Sequence, residues 1–235
     1  MNPAQTILDR ARAVTVATVT TRLFARGIRH SAMTGVGPLL PGMRLCGLAK
    51  TLRYVPARED LDVLEVFHDP EHPQRKAVET ILPGQVLVMD ARGDSSAATL
   101  GSILATRLGV RGAAGVVTDG LVRDAQRIRA LGLPVFCRGA HPATNLTAHH
   151  AVDIDVPVGC GGVLVMSGDL ILGDDDGVVV VPASMAAEVV AEAQAQDRLE
   201  AYLARRIAEG APLPGTYPPS PQTLEAYRRE VERGG

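Results

Sequence analysis

The chain has few aromatic side chains and almost no net charge. Its 235 residues include no tryptophan, 3 phenylalanines and 4 tyrosines, and the formal net charge is -2. Proteins that bind single-stranded nucleic acid combine a basic groove with aromatic side chains on which the bases stack. Duplex-binding proteins also need a basic surface. The composition therefore predicts that nucleic acid is not a partner of this chain.

Cysteines are few and apolar runs are short. Cys46, Cys137 and Cys160 are widely spaced and form neither a CxxC pair nor a zinc-ligand pattern. We predict that they are small buried side chains in a reducing compartment. No apolar stretch approaches the roughly 20 residues that cross a bilayer, and the first residues lack the pattern of a secretory signal. These features predict a cytoplasmic protein with no membrane partner.

Lysine is almost absent, since Lys50 and Lys76 are the only lysines among 24 lysines and arginines. An aldolase that works through a Schiff base needs a lysine in its active site. Lys50 lies in a strand-like run and Lys76 in a polar segment, and neither is near a candidate site motif. Any aldol chemistry of this chain is therefore predicted to depend on a metal ion.

Hydrophobic periodicity predicts an α/β protein, and the length is sufficient for one domain with a sizeable core. Two helices, over 6–13 and 16–26, precede a strand over 43–54. The middle of the chain then alternates between strands and helices, which favours parallel strand pairing. The elements predicted there are a strand over 86–89, a helix over 98–108, a strand over 115–118, a helix over 124–131 and a strand over 134–137.

Short strands and one long helix fill the C-terminal part of the chain. We predict a helix over 185–209, ended by Gly210 and Pro212. The sequence thus indicates a single domain over residues 1–210, followed by a Pro-rich linker and a C-terminal tail helix within residues 211–235. Such a tail suits packing on a neighbouring subunit. The short strands are predicted over 152–156, 162–166, 170–172 and 177–181.

A pair of histidines, His68 and His72, flanks the segment Asp69-Pro70-Glu71. A proline between the two histidines disfavours a helix that would present both on one face. We therefore predict a surface loop rather than a metal site. The acidic run Asp174-Asp175-Asp176-Gly177 is predicted to be a turn, because it lacks the spacing and the distal glutamate of a calcium-binding loop.

A buried strand is predicted to end in a cluster of charges, within Asp119-Gly120-Leu121-Val122-Arg123-Asp124. Ligands of open α/β sheets bind at the carboxyl ends of strands. Arg123 and Asp124 are therefore candidates to hold an anionic substrate and a metal ion. An alternative is that Asp124 only caps the helix that follows it. Upstream, residues 101–104 lie at a helix start, where free N–H groups suit a carboxylate or a phosphate.

These motifs resemble the RraA-like family. The resemblance rests on residues 101–106 and 112–124, and it continues through 156–158, 173–180 and Pro182. The family contains the class II 4-hydroxy-4-methyl-2-oxoglutarate / 4-carboxy-4-hydroxy-2-oxoadipate aldolases and the protein regulator of ribonuclease E activity. The resemblance implies an RraA-like swivelling ββα domain with flanking N- and C-terminal helices.

The resemblance also implies a chemistry. It predicts a lyase that cleaves 4-hydroxy-2-oxo acids to pyruvate through an enolate, with oxaloacetate decarboxylation as a side activity. Asp124 is then the ligand of Mg²⁺, Mn²⁺ or another divalent cation, and Arg123 contacts oxygens of a small 2-oxo acid substrate. The substrate carboxylate is expected to bind the backbone N–H groups of a turn formed by Gly101, Ser102, Ile103 and Leu104.

A homotrimer, or a homohexamer of two rings, is implied as well, with sites between subunits. A carboxylate from a neighbour's C-terminal helix then completes the catalytic set, and Glu200 is its best match, with Asp197 second. Many members carry an acidic residue where Ser102 stands, which predicts that aldol cleavage is weakened more than decarboxylation. One alternative is a non-enzymatic regulator that binds ribonuclease E. A menaquinone methyltransferase is disfavoured, because the pattern Gly35-x-Gly37 has no preceding strand.

Overall fold

The computed structural model describes the backbone of residues 3–234 and the side chains of residues 6–232. Within that range the α-helices are α1 (Pro3–Ala11), α2 (Val16–Ala25), α3 (Pro73–Thr80), α4 (Ser102–Val110), α5 (Ala125–Ala130), α6 (Ala186–Ala208), α7 (Leu213–Thr216) and α8 (Pro221–Gly234). The strands are β1 (Gly37–Pro38), β2 (Leu45–Pro56), β3 (Gln85–Asp90), β4 (Ala98–Leu100), β5 (Gly115–Thr118), β6 (Leu121–Val122), β7 (Val135–Cys137), β8 (His149–Ile154), β9 (Val158–Cys160), β10 (Val163–Val165), β11 (Leu170–Asp174) and β12 (Gly177–Val181).

One large mixed sheet organises the molecule. Its strand order is β1-β7-β5-β3-β2-β11-β12, and β8 pairs with the C-terminal half of the long strand β2. Strands β2, β3, β5 and β7 run parallel to one another. The parallel pairing predicted for the middle of the chain is therefore confirmed. Strands β11 and β12 extend the sheet in antiparallel fashion on the other side of β2.

Apolar clusters cover both faces of this sheet. Strands β3 and β5 are almost entirely buried, as expected for parallel strands that are covered on both sides. One cluster lies between the sheet and α3, α4 and α5. A second packs the small β9–β10 hairpin on the sheet, and a third joins α1, α2 and α6 to β11 and β12. The α/β class expected from the periodicity is confirmed.

The helix predicted over 98–108 consists of two elements. Residues Ala98–Leu100 form β4, which pairs in parallel with β6, and α4 begins only at Ser102. Three residues are too few for their periodicity to distinguish a strand from a first helical turn. The pairing with β6, which lies 22 residues further along the chain, decides the conformation. This second, two-stranded sheet carries the candidate site.

Residues 58–83 contain structure that the sequence analysis did not predict. A 3-10 helix spans Leu64–His68, and α3 follows with Pro73 in its first turn. His72 is buried rather than placed in a surface loop, because it directly precedes α3 and its ring meets the edge of Phe67. The expectation of an exposed loop at this histidine is therefore wrong.

The C-terminal part differs from the prediction at three places. Strand β8 begins at His149, three residues before the predicted start, and β9 is an additional strand that was not among those predicted. Helix α8 lies within the predicted tail, but Tyr227 on it contacts Tyr202 of α6, with ring centroids 5.3 Å apart. The tail thus packs on the long helix of its own chain. No helix in the range 3–234 has the length and apolar character of a membrane span.

Candidate functional site

The carboxyl ends of β4 and β6 lie side by side and lead directly into α4 and α5. The N–H of Arg123 donates to the carbonyl of Leu100 at 2.8 Å, which joins the two turns. The absence of a side chain at Gly101 leaves room for the charged pair, because a Cβ there would lie 3.2 Å from Cγ of Arg123 and 3.3 Å from Oδ2 of Asp124. The local sequence therefore folds so that two helix N-termini and a charged pair meet at one place.

Asp124 is held in the left-handed region, with φ 60° and ψ 34°. Aspartate tolerates this conformation better than most residues. Asp124 occupies the N-cap position of α5, as the alternative proposed, but its carboxylate makes no capping hydrogen bond to that helix. Instead Oδ2 accepts from the N–H of Ser102 at 3.2 Å and from the Ser102 hydroxyl at 3.0 Å. The carboxylate of one helix start thus satisfies the first N–H of the other.

The environment of Asp124 keeps its carboxylate ionised. The backbone N–H and the hydroxyl of Ser102 lower the pKa of Asp124, and the positive charge of Arg123 lowers it further. No donor among the described residues is bound to Oδ1, and a third of the side chain is exposed. This anionic oxygen is available to a ligand.

Arg123 is half-exposed and lies beside that carboxylate. Its Nε is 3.9 Å from Oδ2 of Asp124, which is beyond hydrogen-bond distance. No acceptor among the described residues is within hydrogen-bond distance of its guanidinium. The five donors of this group are thus free to bind the oxygens of an anionic ligand.

The first turn of α4 offers backbone donors at the same place. The N–H of Ser102 is used by Asp124, whereas those of Ile103 and Leu104 lie in the first helical turn, where no intrahelical acceptor exists. The side chain of Ile103 is 81% exposed, so no described residue packs closely over it. Two N–H groups at a helix N-terminus suit a carboxylate.

A cavity of about 260 Å³ brings these groups together. Every predicted substrate or metal residue of the two turns contributes to its wall. Apart from those of β4, the other lining residues were missed by the sequence analysis, and they come from the 3-10 helix Leu64–His68, from α3 and from the segment at the start of a second 3-10 helix, Asn145–Thr147. Pro73, in the first turn of α3, was the one local signal for these residues. The lining residues are Phe67, Gln74, Arg75, Ala98, Thr99, Leu100, Gly101, Ser102, Ile103, Leu104, Arg123, Asp124, Thr144 and Asn145.

Neither lysine lines this cavity. Nζ of Lys50 donates to Asp155 at 2.8 Å, and Nζ of Lys76 donates to Glu71 at 2.7 Å. Lys50 is buried in β2, where the ion pair holds it. Both lysines thus lie away from the Arg123–Asp124 motif, as predicted, and neither is among the residues that line the cavity.

Asp119, which opens the charged motif, has a structural role. It is buried, and it accepts hydrogen bonds from the N–H groups of Ala91 (2.7 Å), Gly93 (2.9 Å) and Gly161 (3.2 Å). Burial raises its pKa, and these three donors act in the opposite direction. The next residue, Gly120, is required by packing, since a Cβ would lie 2.6 Å from the Ala91 methyl group. Asp119 thus fixes the loops behind the site.

Glu200 is not among the residues that line the cavity of its own chain. It lies on α6, where Gln196 donates to its Oε1 at 2.7 Å. Asp197, the second candidate, accepts from the Thr18 hydroxyl and from the N–H of Thr15, and so ties α6 to the start of α2. Asp197 is thus engaged in holding α2 and α6 together, whereas the described partner of the Glu200 carboxylate is Gln196 of the same helix. Its assignment to a neighbour's site stays a prediction.

Comparisons with known proteins identify relatives of the chain. A model of the RraA-like family, described as Aldolase/RraA, matches residues 6–180. A Halalkalibacterium halodurans protein named "Putative 4-hydroxy-4-methyl-2-oxoglutarate aldolase" is 33% identical over 174 residues, which are 74% of this chain and 77% of that protein. A Thermus thermophilus protein named 4-hydroxy-4-methyl-2-oxoglutarate aldolase is 35% identical over 119 residues, which are 51% of this chain and 71% of that protein.

Solved structures have the same fold. Streptomyces coelicolor RraAS2, described as an unusual member of the RNase ES inhibitor RraA protein family, matches with a TM-score of 0.76 and 35% identity. That match covers 86% of this chain and 97% of the other. An uncharacterized Pseudomonas syringae protein matches with a TM-score of 0.79 and 27% identity, over 91% of this chain and 98% of the other. The fold implied by the sequence resemblance is confirmed.

Proposed function

Because the chain belongs to the RraA-like family, we propose that it is a divalent-metal-dependent lyase that releases pyruvate from 4-hydroxy-2-oxo acids. The names of the H. halodurans and T. thermophilus relatives support an aldolase. The observation that carries the proposal is the arrangement at the two helix starts. An ionised carboxylate with a free oxygen, an arginine without a hydrogen-bond acceptor among the described residues and two N–H groups without an intrahelical acceptor line one small cavity.

The residues present suit a cation that keeps much of its water shell. No group of three His, Cys, Asp or Glu within the described residues could enclose a metal ion. A cation held by Asp124 would therefore take most ligands from water and substrate, as Mg²⁺ does in sites with one or two carboxylates. Oδ2 of Asp124 is engaged by Ser102, which leaves Oδ1 for the cation. The bound cation would polarise the 2-oxo group of the substrate.

The side chains and N–H groups of the chain bind the rest of the reacting fragment. The N–H groups of Ile103 and Leu104 hold the substrate C1 carboxylate at the α4 N-terminus. Arg123 contacts the C2 oxygen, where negative charge develops as the C3–C4 bond breaks. A fixed guanidinium in a partly enclosed site stabilises that charge without reorganisation. The C3–C4 electron pair remains with the pyruvate fragment, and C4 leaves as a carbonyl.

A proton acceptor for the C4 hydroxyl is missing from the cavity wall. Asp124 is the only acidic residue that lines the described cavity, and Ser102 stands where many family members carry an acid. Aldol cleavage therefore needs water or a group from another subunit to take this proton. Decarboxylation of oxaloacetate needs no such acceptor, because carbon dioxide leaves without a proton transfer. This difference supports oxaloacetate decarboxylation as a side activity.

Pyruvate release should require a divalent cation. We expect EDTA to abolish it and added Mg²⁺ or Mn²⁺ to restore it, measured by coupling to lactate dehydrogenase with 4-hydroxy-4-methyl-2-oxoglutarate and oxaloacetate as substrates. Borohydride with pyruvate should leave the protein mass unchanged, because Lys50 and Lys76 are paired away from the cavity. A reduced pyruvate adduct on either lysine would contradict the metal-dependent route.

We also propose a ring in which each subunit donates Glu200 to its neighbour's site. Mixing the inactive variants Asp124→Ala and Glu200→Ala should then restore activity, since roughly one quarter of randomly mixed interfaces combine both intact residues. Mixing Asp124→Ala with Arg123→Ala is the matched control, because both changes affect the same part of the site and recovery is not expected. Verified subunit exchange without recovery in the first mixture would exclude a shared site.

A second function rests on the S. coelicolor relative, whose description places it in a family of RNase ES inhibitors. A regulator of ribonuclease E would bind through its surface and would not need the free donors of Arg123. An inhibition assay with purified ribonuclease E separates the two functions. Inhibition that persists in Arg123→Ala, with no pyruvate release by the unmodified protein, would favour the regulator over the lyase.

A further inference from the structure

The wall of the cavity formed by α3 and by the 3-10 helix at Asn145–Thr147 carries buried polar atoms without partners. Gln74 is 2% exposed and Asn145 is 6% exposed. Oε1 of Gln74, Nε of Arg75 and Nδ2 of Asn145 make no hydrogen bond within the described part of the chain. Buried polar atoms are almost always paired, because an unpaired one loses its hydration without compensation. Three on one cavity wall indicate a ligand.

The guanidinium of Arg75 has an aromatic neighbour but no anionic partner within the described part of the chain. Its carbon atom lies 4.5 Å from the ring centroid of Phe67, which is a cation–π contact. No carboxylate among the described residues is within ion-pair distance of it, and burial lowers its pKa. A partly desolvated guanidinium that is positioned by an aromatic ring binds carboxylates well, because its donors form a planar fork.

The two amide side chains present complementary atoms. Nε2 of Gln74 donates to the Tyr54 hydroxyl at 2.9 Å and to the Thr99 carbonyl at 2.8 Å, so its Oε1 is left as an acceptor. Asn145 presents a donor, since Oδ1 faces the Thr144 hydroxyl. A donor amide beside a guanidinium suits a carboxylate, and the acceptor amide suits a hydroxyl group.

We propose that Arg75 and Asn145 form a second subsite of this cavity, which binds a carboxylate remote from the oxo-acid end of the substrate. Gln74 accepts a hydrogen bond from a hydroxyl group on the same substrate. 4-Hydroxy-4-methyl-2-oxoglutarate carries such a second carboxylate, and Arg75 and Asn145 would make that carboxylate the determinant of specificity. This inference rests on the proposed function for its assignment of the oxo-acid end to Arg123 and Asp124. A volume of about 260 Å³ suits so small a ligand.

A matched pair of stable acids tests the subsite without turnover. 2-Oxoglutarate carries a terminal carboxylate where 2-oxopentanoate carries a methyl group, and the remainder of the two molecules is the same. With Mg²⁺ present, calorimetry should show that the unmodified protein binds 2-oxoglutarate about tenfold tighter or more. Arg75→Met should weaken 2-oxoglutarate about ten- to a hundredfold, because it removes one partner of a desolvated charge pair. Binding of 2-oxopentanoate should stay nearly unchanged.

Two further variants and one control complete the test. Asn145→Asp should also weaken 2-oxoglutarate selectively, because it places a negative charge beside the remote carboxylate. Arg75→Lys should fall between Arg75→Met and the unmodified protein. Arg107→Met, which removes an exposed arginine paired with Glu79, should change neither affinity. If Arg75→Met does not fold, Asn145→Asp and Arg75→Lys still test the subsite.

The outcomes separate this inference from the proposed function. Equal affinity of the unmodified protein for both acids, or equal weakening of both in the Arg75 and Asn145 variants, would overturn the subsite. Selective weakening without pyruvate release from any 4-hydroxy-2-oxo acid would establish the subsite and reject the lyase. Pyruvate release from substrates with and without a remote carboxylate at equal kcat/KM would retain the lyase and reject the subsite.

Discussion

Replacing Asp124 by alanine should abolish magnesium binding and lower kcat/KM for pyruvate release by about three orders of magnitude. The reason is that the cavity wall contains no other carboxylate that could hold the cation. Asp124 also accepts the first N–H of α4, so alanine should lower the melting temperature as well. Calorimetry with MgCl₂, the coupled pyruvate assay and thermal unfolding measure the three effects.

Asp124→Asn separates the metal site from the helix contact. An asparagine oxygen can still accept from the N–H and hydroxyl of Ser102, but it carries no charge. We therefore expect this variant to keep the melting temperature and to lose magnesium binding. Unchanged magnesium affinity in Asp124→Asn would show that the cation is held elsewhere.

The pH dependence provides a control on the same carboxylate. Ser102 lowers the pKa of Asp124, so the ionised form persists to lower pH than for an ordinary aspartate. Activity that needs this anion is present above the pKa of Asp124 and lost as the pH falls through it. Ser102→Ala removes one of the two donors, so the acid limb of the kcat/KM profile should move to higher pH.

Replacing Arg123 by alanine should lower kcat by about two to three orders of magnitude with little effect on stability. The guanidinium makes no hydrogen bond within the described chain and is half-exposed, so its removal leaves no buried group unpaired. Because Arg123 stabilises charge that develops only in the transition state, its loss should lower kcat more than it changes KM. Steady-state kinetics with oxaloacetate and with a 4-hydroxy-2-oxo acid measure this.

Two comparison variants make the Arg123 result specific. Arg123→Lys keeps a positive charge without the planar fork and should recover only part of the rate. Arg107→Ala removes an exposed arginine from α4 and should leave kcat unchanged. A near-normal kcat/KM for Arg123→Ala would mean that the reacting oxygen does not lie at this turn.

The sequence by itself was sufficient for the parts of the protein that depend on local periodicity and on short motifs. The alternation of apolar strands and helices predicted the parallel neighbours β3, β5 and β7, because crossover connections leave few other arrangements. The charged motif at Arg123–Asp124 was predicted to follow the buried strand over 115–118, and residues 101–104 were placed at a helix start, whereas β4 and β6 themselves were not predicted. The structure places the motif and this helix start together because the carboxyl ends of adjacent parallel strands share one edge.

Only the tertiary structure decided which partners these residues have. Oδ2 of Asp124 binds Ser102, 22 residues away in the chain, rather than its own helix, because the left-handed backbone at Asp124 turns the carboxylate toward α4. The rest of the cavity lining, with Arg75 and Asn145, comes from segments for which no helix or strand was predicted. Their burial and their missing partners are set by contacts distant in the chain, which no local pattern encodes.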